Sequence, residues 1–452
     1  MTANTGKVLL ILASKLGYQT RAFSQAAERL GVTVVFGTDR CHQLDDPWAD
    51  GALALQFQSP HEAADVIAGA FHDKPPGAIL ALGDQPTVTA ALAAEALGLP
   101  GNPPLAAEIC RNKLIQRETL RRAGLAVPDF FALAPGISLE GALAEISFPC
   151  VVKPLSLAAS QGVIRANNPA EFAAAVRRIR ALLESPEIQM QRAARDKATD
   201  EPSDDAAARS REQTLLVEQY VPGAEVALEG LIVSTGGAMR LRTLAIFDKP
   251  DSLDGPFFEE SIYVTPSRLP ESLQPAVSEC AELAASALGL RHGPLHAEFR
   301  IHEGRPWILE LAPRPIGGLC SRALRFGDGE IGLEELLIRH ALGLGGDGVV
   351  REECASGVMM IPVPRSGILE KVVGLEDAES TPLLSEIRIT ARLRDYLAAW
   401  PEGASYLGFI FARGDTPFAV ESALRAAHAK LRFEFSPRLP VEHPVTGSIA
   451  AW

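Results

Sequence analysis

The sequence predicts a multidomain α/β and α+β chain: a doubly wound parallel α/β domain, then a larger strand-rich domain, then a small α+β subdomain. Three observations predict it. An unbroken apolar run, K-V-L-L-I-L-A at 7–13, is followed by helix-like and strand-like stretches in alternation up to residue 84. Strands buried on both faces read as such continuous runs. Strand-like segments dominate the middle of the chain, and two of them, H-A-E-F-R and W-I-L-E-L-A-P-R, flank Gly304 and Arg305 as a hairpin. The length, 452 residues, implies two to four domains at ~100–200 residues each.

Taken in order, 7–13 is a first strand and Tyr18 to Leu30 a helix, followed by the strand V-T-V-V-F. A second helix near Glu62 to Phe71 precedes the strand A-I-L-A-L-G-D at 78–84. The β-α-β-α-β alternation is that of a doubly wound sheet. Pro103 and Pro104 close this first domain, residues 1–105. The second domain spans 106–348, and the third spans 349–452. Residues 106–123 read as one helix, stopped by Val127-Pro128. F-P-C-V-V-K-P at 148–154 is strand-like, S-L-A-A-S-Q-G at 156–162 is a loop of small residues, and 169–183 is a helix. Residues 185–212 have almost no large apolar group and read as a mobile or disordered insertion. L-L-V-E-Q-Y-V-P-G at 215–223 returns to strand and turn, a helix at 271–288 precedes the hairpin, and 333–342 is helical. Beyond G-L-G-G-D-G at 343–348, G-V-M-M-I-P-V and Y-L-G-F-I-F-A are strands and 417–432 is a helix.

Net charge is −13, with 47% hydrophobic and 22% charged residues. That is an ordinary globular composition, and its sign argues against broad nucleic-acid binding or an anionic membrane surface. Cys41, Cys110, Cys150, Cys280, Cys320 and Cys354 are scattered without a C-x-x-C. Free thiols in a reducing cytosol are expected. The first residues lack a signal-peptide layout, and no apolar stretch approaches the ~20 residues needed to span a membrane. A cytoplasmic location is the expectation.

The hairpin would bring Glu298 and Glu310 together, with Arg314 four residues beyond. Two hard oxygen ligands and a fixed cation suit Mg²⁺ and nucleotide phosphates. A solvated strand face is the ordinary alternative. G-L-G-G-D-G matches G-x-G-x-x-G in form but follows a helix, so it reads as a linker, and no G-x-x-x-x-G-K-[ST] occurs. His292, His296 and His302 invite a zinc reading, which the spacing of the first two disfavours. Gly293-Pro294 keeps those two off one helix, and in extended chain they lie ~13 Å apart. His296 shares a strand face with Glu298; a satisfied core histidine and a substrate contact both fit. Lys153 ends an apolar strand and suits a phosphate as a point charge. Lys113 lies on a helix, where a solvated face is the plain reading. Ser160, Gln161 and Gly162 are small enough to cover phosphates with backbone N–H groups. Glu218 and Glu225 flank a turn, where adenine and ribose contacts compete with simple exposure.

The order R-N-K, V-V-K-P, S-L-A-A-S-Q-G-V, V-E-Q-Y-V-P-G-A-E-V, H-A-E-F, E-L-A-P-R resembles the ATP-grasp superfamily over residues 1 to about 350. Within it, the chain resembles the carboxylate–amine ligases, in particular the L-amino-acid (dipeptide) ligase branch. The stretch from S-G-I-L-E-K-V-V-G-L-E to Y-L-G-F-I-F-A-R-G-D is similar to the subdomain that follows the core in that branch. The resemblance implies an ATP-grasp fold with a mobile lid subdomain over about 127–222, and ATP with one or two Mg²⁺, Mn²⁺ being an alternative. Lys113 and Lys153 would hold ATP phosphates, with Ser160, Gln161 and Gly162 in the covering loop. Glu218, Tyr220 and Val221 would hold adenine, and Glu225 the ribose. Glu298 and Glu310 would bind metal. Arg314, Lys153 and His296 would act in catalysis, and His296, Arg314, Gly317 and Gly318 would bind substrate. Many members carry an asparagine as a third metal ligand where Ala312 stands here.

The implied reaction joins a small-molecule carboxylate to an amine through an acyl phosphate, releasing ADP and phosphate, with an amino acid as one substrate. Homodimerisation is a family expectation. The alternatives are a bicarbonate-using carboxylase and a non-catalytic ATP-binding protein.

Overall fold

The computed structural model describes residues 6–14, 17–39, 52–155, 157–185, 188–189, 213–235, 238–346, 348–437, 442–443 and 447–448. Cys41, Ser156 and most of the insertion expected at 185–212 lie outside the described residues.

The apolar run at the start becomes the strand Val8–Ala13. It lies inside a parallel sheet of order Leu53–Leu55, Thr33–Asp39, Val8–Ala13, Ala78–Leu82. Leu9 and Ile11 join one core with Phe23, Ala26 and Ala27 of the helix Tyr18–Arg29, while Leu10 and Leu12 join another with Ile67 and Ala93. Burial on both faces is why the run has no polar interruption. The strand order reverses between Val8–Ala13 and Ala78–Leu82. Such a switch point leaves a crevice at the carboxyl ends of its strands, and Ser14 and Asp84 follow those ends.

The helix expected over 106–123 is two helices, Pro104–Arg111 and Lys113–Arg122. Asn112 separates them with extended backbone, and its side chain accepts from the N–H groups of Leu114 and Ile115. The cap places Lys113 at the first position of the second helix. An antiparallel sheet follows, of order Phe130–Leu133, Leu215–Gln219, Cys150–Pro154, Ile164–Ala166. The helix Pro169–Leu183 covers it through Phe172, Val176 and Ile179.

The largest sheet has eight strands, in the order Arg305–Ala312, Gly293–His302, Ala224–Thr235, Ala238–Lys249, Ile262–Thr265, Ala355–Ile361, Gly408–Gly414, Leu384–Ile389. It therefore runs without a break past the compositional shift at 343–348. One face packs Val226, Leu228, Leu295, Phe299 and Leu311 against Val277, Ala281 and Ala284 of the helix Leu273–Ala287. Each fully buried Leu or Phe there contributes ~1.5–3 kcal/mol relative to exposure. The helix Pro417–His428 covers the far end of the sheet through Val420 and Leu424. Among the described residues, no helix is long and apolar enough to cross a membrane.

Candidate active site

The other face of the large sheet is charged, and strand parity explains it. Residues two apart share a face, so His296, Glu298 and Arg300 point one way while Leu295, Ala297 and Phe299 enter the core. Register then aligns three rungs. Lys249, Glu225 and Arg300 form one, Phe247, Ala227, Glu298 and Glu310 the next, and Ala245, Glu229, His296 and Ala312 the third. Glu298 and Glu310 are thus directly opposed across the hairpin. The turn between their strands places Glu303 and Gly304 at φ of 50° and 72°, as a tight hairpin of this hand demands.

Lys249 lies at the centre of the first rung. Its Nζ reaches Glu225 at 2.8 Å, Glu260 at 2.5 Å and Glu298 at 3.3 Å. Burial opposes its charge, but Glu225, Glu260 and Glu298 hold the ammonium well above the usual lysine range. Burial would likewise raise the Glu298 carboxyl, yet Lys249 and then His296 keep it well below the usual carboxylate range. Glu225 accepts from Lys249 and, at 3.0 Å, from Arg300. Arg300 also donates to the Tyr220 hydroxyl at 2.8 Å and to the Val221 carbonyl at 3.1 Å.

A pocket above this face is lined by Lys113, Lys153, Ser160, Glu218, Tyr220, Val221, Glu225, Glu298 and Glu310. Lys113 Nζ sits 3.4 Å from Glu310 and donates to the Leu157 carbonyl at 2.9 Å. Its helix-start position turns it inward, not to a solvated face. Lys153 pairs with Glu218 at 2.6 Å, and Arg117 reaches the other Glu218 oxygen at 2.7 Å. Glu218 is only 4% exposed. Its carboxylate balances Lys153 and Arg117. Burial would raise its pKa, but Arg117 and Lys153 lower it below the ordinary 4.5. A carboxylate depressed on folding stabilises above its unfolded pKa and loses that contribution as pH falls through the folded one. The urea midpoints of wild type and Glu218→Gln should therefore differ at pH 7 and converge toward pH 3; a constant gap would contradict this.

Gln161 and Gly162 do not line the pocket. The Gln161 amide donates to the Ala158 carbonyl at 3.2 Å and that of Gly162 to the Pro401 carbonyl at 2.9 Å. Both N–H groups are spent inside the protein, so of the three loop residues only Ser160 faces the cavity. His296 is buried, and both of its ring nitrogens have carboxylate partners. Nδ1 pairs with Glu229, and Nε2 lies 3.4 Å from Glu298. Burial would lower its pKa, but Glu229 lifts it to about 9. The second Glu229 oxygen accepts the Ile316 N–H at 3.1 Å. His296 and Glu229 thereby tie the segment after Arg314 to the sheet.

Arg314 follows the strand Arg305–Ala312 and crosses to the switch-point crevice. It donates to both Asp84 oxygens at 2.8 and 3.3 Å and to the Pro315 carbonyl at 3.1 Å. A guanidinium carries five N–H donors, so two remain for another anion. A Cβ on Gly317 would meet nothing within 4 Å, whereas one on Gly318, at φ +65°, would meet the Phe409 ring at 3.0 Å. Gly317 borders open space and Gly318 is a packing requirement.

Sequence reasoning missed Asp84, Arg117, Glu229, Lys249, Glu260 and Arg300. Two of them carried a signal. Arg300 has the parity of Glu298, and Asp84 follows a parallel strand at the end where ligands bind.

An ATP-grasp domain model matches residues 146–323, an ATP-grasp N-terminal domain model matches 24–101, and an L-amino acid ligase C-terminal domain 2 model matches 359–436. The chain carries ATP-grasp domains. The crystal structure of an L-amino acid ligase from Bacillus licheniformis superposes on this ATP-grasp chain with a TM-score of 0.72 at 27% identity, covering 95% of this chain and 99% of that one. An uncharacterized protein of Sinorhizobium fredii is 22% identical over 346 residues, 75% of this chain and 64% of its own length. A D-alanine--D-alanine ligase of Anaeromyxobacter is 28% identical over 237 residues, 52% of this chain and 66% of its own length. The ATP-grasp chain thus spans just under two thirds of each of these two curated relatives.

Proposed function

We propose that this chain is an ATP-dependent carboxylate–amine ligase that takes an amino acid as one substrate and releases ADP and phosphate. One observation carries the reading. Glu298 and Glu310 stand in register beneath a pocket that holds Lys113 and Lys153, and Arg314 follows on the same strand end. The likeness to an L-amino acid ligase over nearly the whole of both chains supports an amino acid as substrate.

Lys113 and Lys153 hold ATP phosphates as point charges. Glu225, whose two oxygens offer about four lone-pair sites, keeps capacity for ribose hydroxyls beside its two cations. Glu298 and Glu310 fit Mg²⁺: they are opposed carboxylates flanked by Lys249 and Lys113, and Ala312 adds no ligand. When bound there, Mg²⁺ neutralises charge on phosphate oxygens. A substrate carboxylate oxygen attacks the γ-phosphorus, the bond to ADP breaks, and an acyl phosphate forms. The amine nitrogen then attacks the acyl carbon and loses a proton, and phosphate departs with the bonding pair. Arg314 holds the carboxylate and then the tetrahedral oxyanion, and Gly317 leaves room beside it.

Glu310→Gln should raise the Mg²⁺ concentration for half-maximal activity about tenfold or more; an unchanged titration removes Glu310 from the metal site. The activity itself is tested by ADP and phosphate release with Mg²⁺-ATP across pairs of amino acids and simple amines. A product mass equal to two substrates minus water supports the ligase. ADP release that needs bicarbonate, or ATP binding without turnover on any pair, counts against it.

A further inference from the structure

The loop after Pro154 has two sides. Leu157, Ala158, Ala159 and Ser160 line the nucleotide pocket with Lys113 and Lys153. The other side meets Trp400, Pro401 and Glu402 of the C-terminal portion. The Trp400 indole Nε1 donates to the Ala159 carbonyl at 3.3 Å, across 241 residues of chain. Gly162 N–H donates to the Pro401 carbonyl at 2.9 Å, and Gln161 Nε2 to the Glu402 carbonyl at 2.6 Å. From the lid helix Pro169–Leu183, Arg178 donates to both Glu402 carboxylate oxygens at 2.5 and 3.0 Å.

The loop needs such support. Ala159 and Ser160 adopt φ of 55° and 54°, the left-handed region that costs non-glycine residues free energy. Its own backbone bonds, Gln161 to Ala158 and Val163 to Ser160, close the turn without attaching it to anything else. On the pocket side Lys113 holds the Leu157 carbonyl at 2.9 Å; on the face away from the pocket, residues 400–402 grip 159, 161 and 162. Trp400 is 7% exposed, so its indole is a packed anchor. None of the residues lining the pocket comes from the C-terminal portion.

We propose that Trp400, Pro401 and Glu402 are positioning residues that hold the loop 158–162 in its nucleotide-facing shape, with Arg178 and Glu402 as the outer clasp. The proposal rests on reading that loop as the phosphate cover. It gives the C-terminal portion a task at a site it does not touch. The clasp is half-exposed, at 46% and 40% for the two side chains, and exposed ion pairs add little to global stability. Breaking it should loosen the loop and leave the fold.

The test compares wild type, Arg178→Glu, Glu402→Arg, the double exchange of both, and Trp400→Phe, all as full-length protein. Amide hydrogen exchange is followed without nucleotide, and Mg²⁺-ATP affinity by calorimetry. Each single variant should speed exchange at residues 161–163 about tenfold and weaken Mg²⁺-ATP about threefold or more. The double exchange should bring both back to within about twofold of wild type, with melting temperatures of the clasp variants within about 2 °C of wild type. Unchanged exchange in the single variants, or no recovery in a folded double variant, overturns the proposal. If Mg²⁺-ATP does not bind wild type, the nucleotide reading fails, and exchange in the nucleotide-free protein still decides whether residues 400–402 hold the loop.

Discussion

Arg314→Ala will lower turnover ~100-fold or more, because removing one preorganised oxyanion donor costs ~3–4 kcal/mol in barrier. The fold will survive. Arg314 bonds to Asp84 at the edge of a crevice, and the Asp84 side chain is 29% exposed, so water reaches the carboxylate once its partner is gone. Burial would raise the Asp84 carboxyl, but Arg314 holds it below the usual range; the variant therefore relaxes a charge without stranding one. Arg314→Lys should recover only part of the loss, since an ammonium cannot bridge Asp84 and a substrate carboxylate with one planar fork. The measurement is kcat at saturating Mg²⁺-ATP, with a melting curve as control. Near-normal turnover in a folded Arg314→Ala enzyme would remove this residue from the mechanism.

Lys249→Met will destabilise the protein by ~3–5 kcal/mol, the usual cost of removing one partner from buried charges. Three carboxylates lose their shared cation. The Lys249 side chain is 2% exposed, and Glu225, Glu260 and Glu298 are 9%, 18% and 22% exposed, so solvent replaces the ammonium only in part. Met fills a similar volume, so the loss reads charge and not a cavity. A lowered urea midpoint at pH 7 checks this, and a midpoint equal to wild type would show that the carboxylates are neutralised some other way. Activity should fall as well, because Glu298 would lose the cation that keeps it ionised and oriented.

Much of the site was legible in the sequence because its logic is local. The alternation H-A-E-F-R-I-H settles which side chains leave the core, since strand parity needs only the chain itself. Gly304 supplies one of the positive-φ residues a tight turn needs, so the opposition of Glu298 and Glu310 follows from the hairpin. The order of the motifs, read together, carried the resemblance that the family comparisons bore out. The errors were equally physical. Helical periodicity ran through Asn112, whose side-chain cap was the competing signal. The small residues of 157–162 showed that backbone approaches something closely, but not that Gln161 and Gly162 turn their amides away from the cavity.

What the sequence alone determined, then, is parity, turns and the inventory of charged groups. The tertiary structure decided which of those groups meet. Lys249, Glu225 and Arg300 share a rung only because three strands pair in one register, and register is chosen by the burial of the opposite apolar face as a whole. Arg314 reaches Asp84 across 230 residues, and the loop at 159–162 reaches residues 400–402 across 241. Such contacts depend on how finished domains dock, where many weak apolar contacts, rather than any one motif, set the geometry that the charged residues then use.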